Sequence, residues 1–363
     1  MTTYARRITR QIKVGNTLIG GGAPISVQSM TNTDPLDFEA TRAQILALHE
    51  AGCDIVRLAI PNAAAVRTLA RLKESLPEIP LVADIHFDYK LALGALEAGV
   101  DKIRINPGNI GDISRVRAVA DAAQKRFVPI RIGVNSGSLE KHILEKYGAP
   151  VPAALAESAL YHAAILEECD FRDIAISVKA STVRDMIEAN RILAEKTDYP
   201  LHLGVTEAGS AHMGSIKSAV GIGTLLSEGI GDTIRVSLTA DPVLEVKEGR
   251  AILASLDLLN EKQLNIVSCP TCGRTKIDLI PLLDAFEAEL DRLSLRSVPV
   301  KVAFMGCIVN GPGEAKEADI GVAGGDGIGV IFRHGVPMEK VKMDEIVPTL
   351  IKEICKMKEK KHD

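Results

Sequence analysis

Residues 37–60, DFEATRAQILALHEAGCDIVRLAI, contain the unit from which most of the chain is built. The first part is rich in Ala and Leu with apolar residues at helical spacing, and it ends at Ala51-Gly52. A glycine at this point suits the left-handed backbone that closes a helix. The β-branched run DIVRLAI follows from Asp54 and is typical of a buried strand. The stretch therefore predicts a helix, a glycine cap and a strand.

The same unit recurs through the first two-thirds of the chain. Helical patterns such as NAAAVRTLARLKES and TVRDMIEANRILAEK alternate with short apolar runs. Eight strands alternating with helices predict an α/β fold, a (β/α)8 TIM barrel rather than a doubly wound sheet, and we place it at residues 1–258. The connection 136–172 is long and is expected to contain an extra turn before its helix. The candidate strands are ISVQSMT from Ile25, DIVRLAI from Asp54, PLVADIHF from Pro80, KIRINPG from Lys102, PIRIGVN from Pro129, DIAISVKA from Asp173, LHLGVTEAG from Leu201 and TIRVSLT from Thr233.

The pattern changes after the barrel and predicts a small α+β domain at residues 265–363. A seven-residue linker, DLLNEKQ, leads into it from Asp257. Its expected elements are a strand in NEKQLNIVSC, a helix in TKIDLIPLLDAFEAELDRL, a strand in VPVKVAFMGC, a hairpin in IGVAGGDGIGVIFRHG and a final Lys-rich helix. The pair Asp326-Gly327 is an ordinary hairpin-turn signal.

Composition excludes several classes of protein. The chain has 363 residues, 46% of them hydrophobic, and a net charge of -4 with both signs mixed along its length, which argues against a nucleic-acid binder that works through bulk charge. We find no signal-peptide pattern and no apolar run long enough to span a membrane. We therefore expect a cytoplasmic protein, in which six cysteines are not a disulfide framework.

Cations cluster at the predicted strand ends. In a TIM barrel the chemistry lies at the carboxyl ends of the strands, because the βα loops open there. Five cations meeting at one end would repel one another unless an anion neutralises them, and a phosphate or diphosphate suits arginine forks. The alternative is that each arginine pairs with a nearby carboxylate, for which Asp54, Asp84, Asp173 and Asp232 are available. The cations are Arg57, Arg104, Arg131, Lys179 and Arg235, accompanied by Asn106, Asn135, Glu207 and Ser237.

Three residues at these strand ends, His86, His202 and Glu207, can each be interpreted in two ways. His86 and His202 could contact a substrate or be hydrogen-bonded residues of the barrel interior. Glu207, in the run VTEAG, could act as a general acid or base beside the cations. It could equally pair with Lys179 or Arg235.

Three cysteines of the second domain form a candidate ligand set. Cys269 and Cys272, in SCPTCGR, end one strand and Cys307 ends another, so neighbouring strands could bring them together. The other cysteines, Cys53, Cys169 and Cys355, are expected to be packing residues. The absence of a second C-x-x-C argues against a zinc ribbon with four cysteine ligands, and a zinc site of three cysteines and one histidine would need His334. A thioredoxin-like dithiol would not need Cys307.

An iron–sulfur cluster remains, since three thiolates and one other ligand can hold it. Glu314 lies seven residues beyond Cys307 in a Gly-Pro-Gly loop and is the candidate oxygen ligand. A carboxylate is displaced more readily than a thiolate, which would leave one iron able to exchange ligands.

Four stretches together carry a family resemblance: VQSMTNTDP, VTEAG, SCPTCGR and MGCIVNGPGEAKEADIG. In them the chain resembles the 4-hydroxy-3-methylbut-2-enyl diphosphate synthases of the non-mevalonate isoprenoid pathway, in their compact bacterial form. The resemblance implies reductive ring opening and dehydroxylation of 2-C-methyl-D-erythritol 2,4-cyclodiphosphate. It also implies a [4Fe–4S] cluster, flavodoxin or ferredoxin as electron donor, and a homodimer.

The resemblance assigns roles to individual residues. It implies that Cys269, Cys272, Cys307 and Glu314 hold the cluster and that Glu207 is the catalytic acid. It also implies a barrel similar to that of dihydropteroate synthase, with a smaller domain similar to the iron–sulfur modules of sulfite and nitrite reductases. The substrate-binding residues that it implies are Arg57, Arg104, Arg131, Asn135, Lys179, Arg235, Ser237 and Asn310.

The order of elements predicts how the two domains cooperate. The helix DPVLEVKEGRAILASL runs from the last barrel strand back towards the opposite end of the barrel. The linker can span only about 20–25 Å, too little to return along the barrel. We therefore expect a head-to-tail homodimer in which each cluster domain caps the barrel of its partner.

Two other functions fit parts of the pattern. One is a pterin-type barrel transferase with a structural zinc site, and the other is a zinc-ribbon binding module attached to a degenerate barrel. Both predict a colourless protein.

Overall fold

The computed structural model describes residues 5–180, 182–206, 208–259, 263–307 and 315–359. The chain divides into two compact units, Met1–Leu259 and Asn260–Asp363. In the part that the structure describes, no helix is both long and apolar enough to cross a membrane.

The first unit is a parallel barrel preceded by a hairpin. Its sheet follows the order β8-β7-β6-β5-β4-β3-β10-β9 in the numbering below, and a parallel bridge between Ile176 and Leu201 joins the two edges. All eight predicted strands are present, so the predicted (β/α)8 barrel is confirmed. The strands of the unit are β1 (Ile12–Val14), β2 (Thr17–Ile19), β3 (Ser26–Met30), β4 (Ile55–Ala59), β5 (Leu81–Asp84), β6 (Lys102–Ile105), β7 (Ile130–Asn135), β8 (Ile174–Lys179), β9 (His202–Leu203) and β10 (Thr233–Ile234).

Helices surround these strands, and several of them begin at polar caps. The side chains of Asp37, Asn62 and Asp112 accept hydrogen bonds from the first backbone N–H groups of their helices, which would otherwise lack partners. Gly52 follows the first of them at φ 92°, the left-handed conformation that its sequence predicts. The helices are α1 (Phe38–Glu50), α2 (Ala63–Ser75), α3 (Tyr89–Glu97), α4 (Ile113–Lys125), α5 (Lys141–Tyr147), α6 (Pro152–Glu167), α7 (Val183–Lys196), α8 (Ala211–Ser227) and α9 (Pro242–Ser255).

Two features of the barrel differ from expectation. The long connection contains a separate seven-residue helix, α5, rather than one extra turn. The hairpin β1–β2 packs Ile12, Val14 and Ile19 against Ile55 and Val82, at the amino-terminal ends of their strands. It therefore closes the end of the barrel opposite the βα loops.

In its described residues, the second unit is one five-stranded sheet with two α-helices. The pairs β11–β12 and β12–β13 are parallel, and β13–β14 and β14–β15 are antiparallel. The predicted hairpin is β13–β14. The edge strand β15 was not predicted because most of its residues are exposed and lack alternating hydrophobicity. The elements are β11 (Asn265–Ser268), α10 (Leu279–Arg292), β12 (Lys301–Met305), β13 (Ile320–Gly324), β14 (Ile328–Arg333), β15 (Val336–Lys342) and α11 (Ile346–Glu359).

Candidate active site

A cavity of about 440 Å³ opens at the carboxyl ends of the barrel strands. We call it the barrel cavity. All seven barrel residues for which the sequence predicts substrate binding line it: Arg57, Arg104, Arg131, Asn135, Lys179, Arg235 and Ser237. Its remaining described lining is His86, Asp84, Gly133, Ser177, Thr206, Ala208, Gly209, Leu238, Thr239 and Glu245. The structure thus brings the predicted cations to one place.

Asp84, at the end of β5, anchors two of the cations. Its carboxylate oxygens lie 3.7 Å from Arg57 Nε and 3.3 Å from Arg104 Nη1, and 3.6 Å from His86 Nε2. Burial alone would raise the pKa of Asp84, but Arg57, His86 and Arg104 hold that pKa well below its ordinary value. Asp84 is therefore a carboxylate that fixes the positions of both arginines.

Glu245, in the first turn of α9, anchors a third cation of the cavity, Arg235. Its Oε2 lies 3.4 Å from Arg235 Nη2 and accepts a 2.9 Å hydrogen bond from Ser29 Oγ, while its Oε1 accepts one of 3.0 Å from the Leu238 N–H. Sequence reasoning missed Glu245 because it comes from a helix rather than a strand end. The available signal was its position at the start of the helix that follows the last strand.

The pairing alternative therefore applies to three of the five cations, through two carboxylates. Asp84 was among the candidates, whereas Asp54 and Asp232 have other roles. Asp54 accepts a 2.7 Å hydrogen bond from the Val27 N–H, and Asp232 lies 3.3 Å from Arg6 Nη2.

Arg131 and Lys179 have no such anchor in the described part of the chain. Among the residues that the structure describes, no carboxylate lies within ion-pair distance of either side chain, and Arg131 Nε and Nη2 are buried without hydrogen-bond partners. Burial first, and then the charges of Arg57 and Arg104, lower the pKa of Arg131. A guanidinium nevertheless stays protonated in proteins, so this lowering reflects uncompensated positive charge. An anionic ligand would compensate it.

The other strand-end residues have different positions. His86 lines the barrel cavity. His202 is fully buried inside the barrel, with Nδ1 3.4 Å from Thr233 Oγ1. Asn106 is outside the cavity lining, and its Oδ1 accepts a 3.0 Å hydrogen bond from the Gly133 N–H. Asn106 therefore orients the backbone of the neighbouring strand β7.

Three predicted site residues, Glu207, Asn310 and Glu314, lie outside the described residues. The chain neighbours of Glu207 are described: Thr206 and Ala208 both line the barrel cavity.

The predicted cluster ligands lie at one edge of the second unit's sheet. Parallel pairing of β11 and β12 places Ser268 opposite Phe304, so Cys269 and Cys307 leave the sheet at the carboxyl ends of adjacent strands. The Gly306 N–H donates a 3.2 Å hydrogen bond to Cys269 Sγ. Cys272 is exposed, and a hydrogen bond from the Arg274 backbone lowers the pKa of its thiol.

These residues suit a thiolate-bound cluster. Over the described ranges, which omit residues 308–314, no three His, Cys, Asp or Glu side chains are grouped closely enough to hold a metal ion. Cys269 and Cys307 nevertheless follow the ends of adjacent strands. Cys272 lies three residues beyond Cys269 in the loop after β11. A backbone N–H donated to sulfur is the kind of contact that stabilises and tunes cysteine-held iron–sulfur clusters. The donor set therefore fits such a cluster.

The remaining cysteines have other surroundings. Cys53 and Cys169 lie in the barrel core. Burial raises the pKa of Cys53 to about 12, so this thiol does not ionise near neutral pH. Cys355 is half-buried on α11.

Comparison with known proteins gives matches over nearly the whole chain. The GcpE TIM-barrel domain family matches residues 9–250, and the GcpE protein C-terminal domain family matches residues 265–356. Two curated relatives, from Ruminiclostridium cellulolyticum and Clostridium perfringens, are named 4-hydroxy-3-methylbut-2-en-1-yl diphosphate synthase (flavodoxin). They are 58% and 59% identical, over 97% and 96% of this chain and 98% of each relative. The chain is also similar to the solved dihydropteroate synthase of Xanthomonas albilineans (16% identity, TM-score 0.46, 68% of this chain and 97% of the other).

Proposed function

The chain belongs to the GcpE family, and on that basis we propose that it catalyses the reaction for which its curated relatives are named, with flavodoxin as electron donor. The product is 4-hydroxy-3-methylbut-2-en-1-yl diphosphate. The observation that carries the proposal is the barrel cavity, in which five cations meet two described carboxylates. The names of the relatives give no support to a pterin transferase.

The substrate that we propose is 2-C-methyl-D-erythritol 2,4-cyclodiphosphate. Arg131 and Lys179 bind its diphosphate oxygens, because they are the cavity cations without a described carboxylate partner. Asp84 and Glu245 hold the other three arginines in place before the substrate arrives, which lowers the entropy cost of binding. Asn135 and Ser237 add neutral hydrogen bonds.

The reaction opens the cyclic diphosphate, removes one hydroxyl as water and takes up two electrons. Ring opening frees a phosphate oxygen, whose added negative charge the cavity cations stabilise. We assign the proton for the departing hydroxyl to Glu207, since a positioned carboxylic acid is an effective donor. The loop carrying Asn310 is proposed to reach the substrate.

We propose that Cys269, Cys272, Cys307 and Glu314 hold a [4Fe–4S] cluster. When bound, it supplies the electrons for the reduction. The Gly306 N–H, which donates a hydrogen bond to Cys269 Sγ, stabilises that sulfur as a cluster ligand. Protein purified without oxygen is therefore expected to be brown and to contain iron, whereas the zinc alternatives predict a colourless, zinc-containing protein.

Neutralising Arg131 or Lys179, the two cavity cations without a described carboxylate partner, is expected to weaken substrate binding. Arg131→Met and Lys179→Met should each raise KM by roughly ten- to a hundredfold, the value of one charged hydrogen bond of about 1.5–3 kcal/mol. The cluster spectrum should not change, because both residues belong to the barrel unit. Steady-state kinetics and absorption spectra of the same preparations measure the two effects.

Arg126→Met is the matched control, because it removes the same charge from an exposed position at the end of α4. Its KM should equal that of the wild type. Unchanged KM in both cavity variants would contradict the assignment of Arg131 and Lys179 to the diphosphate.

We propose a homodimer as the active form. Helix α9 starts beside the barrel cavity at Pro242 and ends at the other end of the barrel, where Arg250 Nη1 donates to the Gly52 carbonyl just before β4. The chain therefore leaves the barrel far from its own cavity, at a distance of roughly 20 Å set by the length of the helix. If a partner chain supplies the cluster domain, the linker does not need to run back along the barrel to the cavity.

Mixing two inactive chains is expected to restore activity. A Cys307→Ser chain retains an intact barrel, and a Glu207→Gln chain retains an intact cluster domain, so a heterodimer has one complete composite site. After subunit exchange, the mixture should recover up to about a quarter of wild-type activity, because half of the dimers are mixed and each has one good site. Failure to recover activity despite exchange shown by mass spectrometry would exclude the composite site, as would a fully active monomer.

A further inference from the structure

Lys102 lies inside the barrel, beneath the barrel cavity. It is the first residue of β6, and its side chain points to the same face of the strand as that of Arg104 two residues later. Arg104 lines the barrel cavity, whereas Lys102 does not. Lys102 is 0% exposed, and its Nζ has no hydrogen-bond partner among the described residues. Neither substrate nor bulk water therefore reaches this amine directly.

The charges around Lys102 are mostly positive. Arg131 and Arg57 are the cations that act on it most strongly. The two carboxylates described in the same part of the barrel, Asp84 and Glu245, are already paired with arginines. In the described part of the chain, the polar residues of this interior include Gln28 from β3, Arg57 from β4, Asp84 from β5, Arg104 from β6, Arg131 from β7, Ser177 and Lys179 from β8, His202 from β9, Thr233 and Arg235 at β10, and Glu245 from α9.

An ammonium group in this position is costly. A buried charge without a counter-charge is unstable, and neighbouring like charges increase the cost. Arg131 cannot relieve it by losing a proton, but a lysine can. Burial first, and then the charges of Arg131 and Arg57, accordingly lower the pKa of Lys102 well below its ordinary value.

Anion binding reverses this balance. A diphosphate bound by Arg131 and its neighbours cancels the positive field that disfavours a proton on Lys102. Building on the proposed function, we propose that Lys102 is a proton-accepting residue coupled to the barrel cavity: its amine is neutral in the free protein and takes up one proton when a diphosphate binds above it. Lys102 does not touch the substrate and acts on it through Arg131, so it is a positioning residue.

The sign of the pH dependence follows. Binding makes Lys102 a stronger base, so affinity is highest at low pH and falls as pH rises through the range in which the amine is protonated in the complex but not in the free protein. The decline attributable to Lys102 reaches at most about tenfold in Kd per pH unit, the value for one linked proton. Lys179 also lines the cavity and can contribute protons of its own. The measurement must therefore compare variants at position 102.

The test is calorimetric titration of the full-length protein with inorganic pyrophosphate. Running it at one pH in chloride-free buffers of different ionisation enthalpy yields the number of protons taken up per bound anion. The protonation of pyrophosphate itself is common to all variants and cancels in their difference. Lys102→Met should take up about one proton fewer than the wild type. Lys125→Met, which removes an exposed lysine at the end of α4, should match the wild type.

The outcomes separate the two proposals. Absence of pyrophosphate binding to the wild type would contradict the anion-binding cavity, and with it the proposed function. Normal binding with equal proton uptake in wild type and Lys102→Met would overturn the role of Lys102 alone. Circular dichroism should show that Lys102→Met melts at or above the wild-type temperature, since it removes an unpaired buried amine. Lys102→Gln undergoes the same titration and is decisive if the Met variant does not fold.

Discussion

Replacing Cys307 with Ser is expected to remove the iron and the enzymatic activity together. Cys307 lies two residues beyond β12, and Cys269 directly follows the parallel neighbouring strand β11. A serine hydroxyl is far less acidic than a thiol and does not replace a thiolate on iron under ordinary conditions. The same loss is expected for Cys269→Ser and Cys272→Ser. Iron analysis, the visible spectrum and turnover of anaerobically prepared protein measure it.

Cys355→Ser is the matched control, because it makes the same change on α11 of the same unit. It should keep wild-type iron content and activity. Cys53→Ala and Cys169→Ala, in the barrel core, should also keep their iron. Loss of iron in Cys355→Ser with retention in Cys307→Ser would show that the ligands are wrongly assigned.

Replacing Glu207 with Gln is expected to lower kcat by about 10²–10⁴-fold, the usual contribution of one general acid. Its chain neighbours Thr206 and Ala208 line the barrel cavity. Gln keeps the size and polarity of Glu but has no proton to donate at neutral pH. KM should remain close to that of the wild type, since the cavity cations that bind the diphosphate are unchanged.

Glu195→Gln, at an exposed position of α7, makes the same substitution away from the cavity and should have wild-type kcat. Single-turnover kinetics with a pre-reduced enzyme would distinguish slower chemistry from slower electron delivery. A near-normal kcat in Glu207→Gln would demote this residue to an ion-pair partner of the cavity cations.

Much of the fold could be predicted because its signals are local. The units of helix, glycine and β-branched run identify strands by composition and period, as in residues 37–60, where α1 and β4 appear as expected. Parallel strands present their carboxyl ends at one side, so strand-end residues such as Arg57 and Lys179 could be assigned to one cavity from the sequence pattern alone. Elements with weak local signals, the hairpin β1–β2 and the edge strand β15, were missed.

The sequence by itself determined the barrel, the cations at its carboxyl end and the cysteine spacing, because each depends on residues close together in the chain. Only the tertiary structure decided which charges are paired. Asp84, and not Asp54, reaches Arg57 and Arg104, and Glu245 comes to Arg235 from a helix. The burial of Lys102 is likewise visible only in the tertiary structure. Such pairings depend on strand register and on distances between segments remote in sequence, and neither periodicity nor spacing along the chain encodes them.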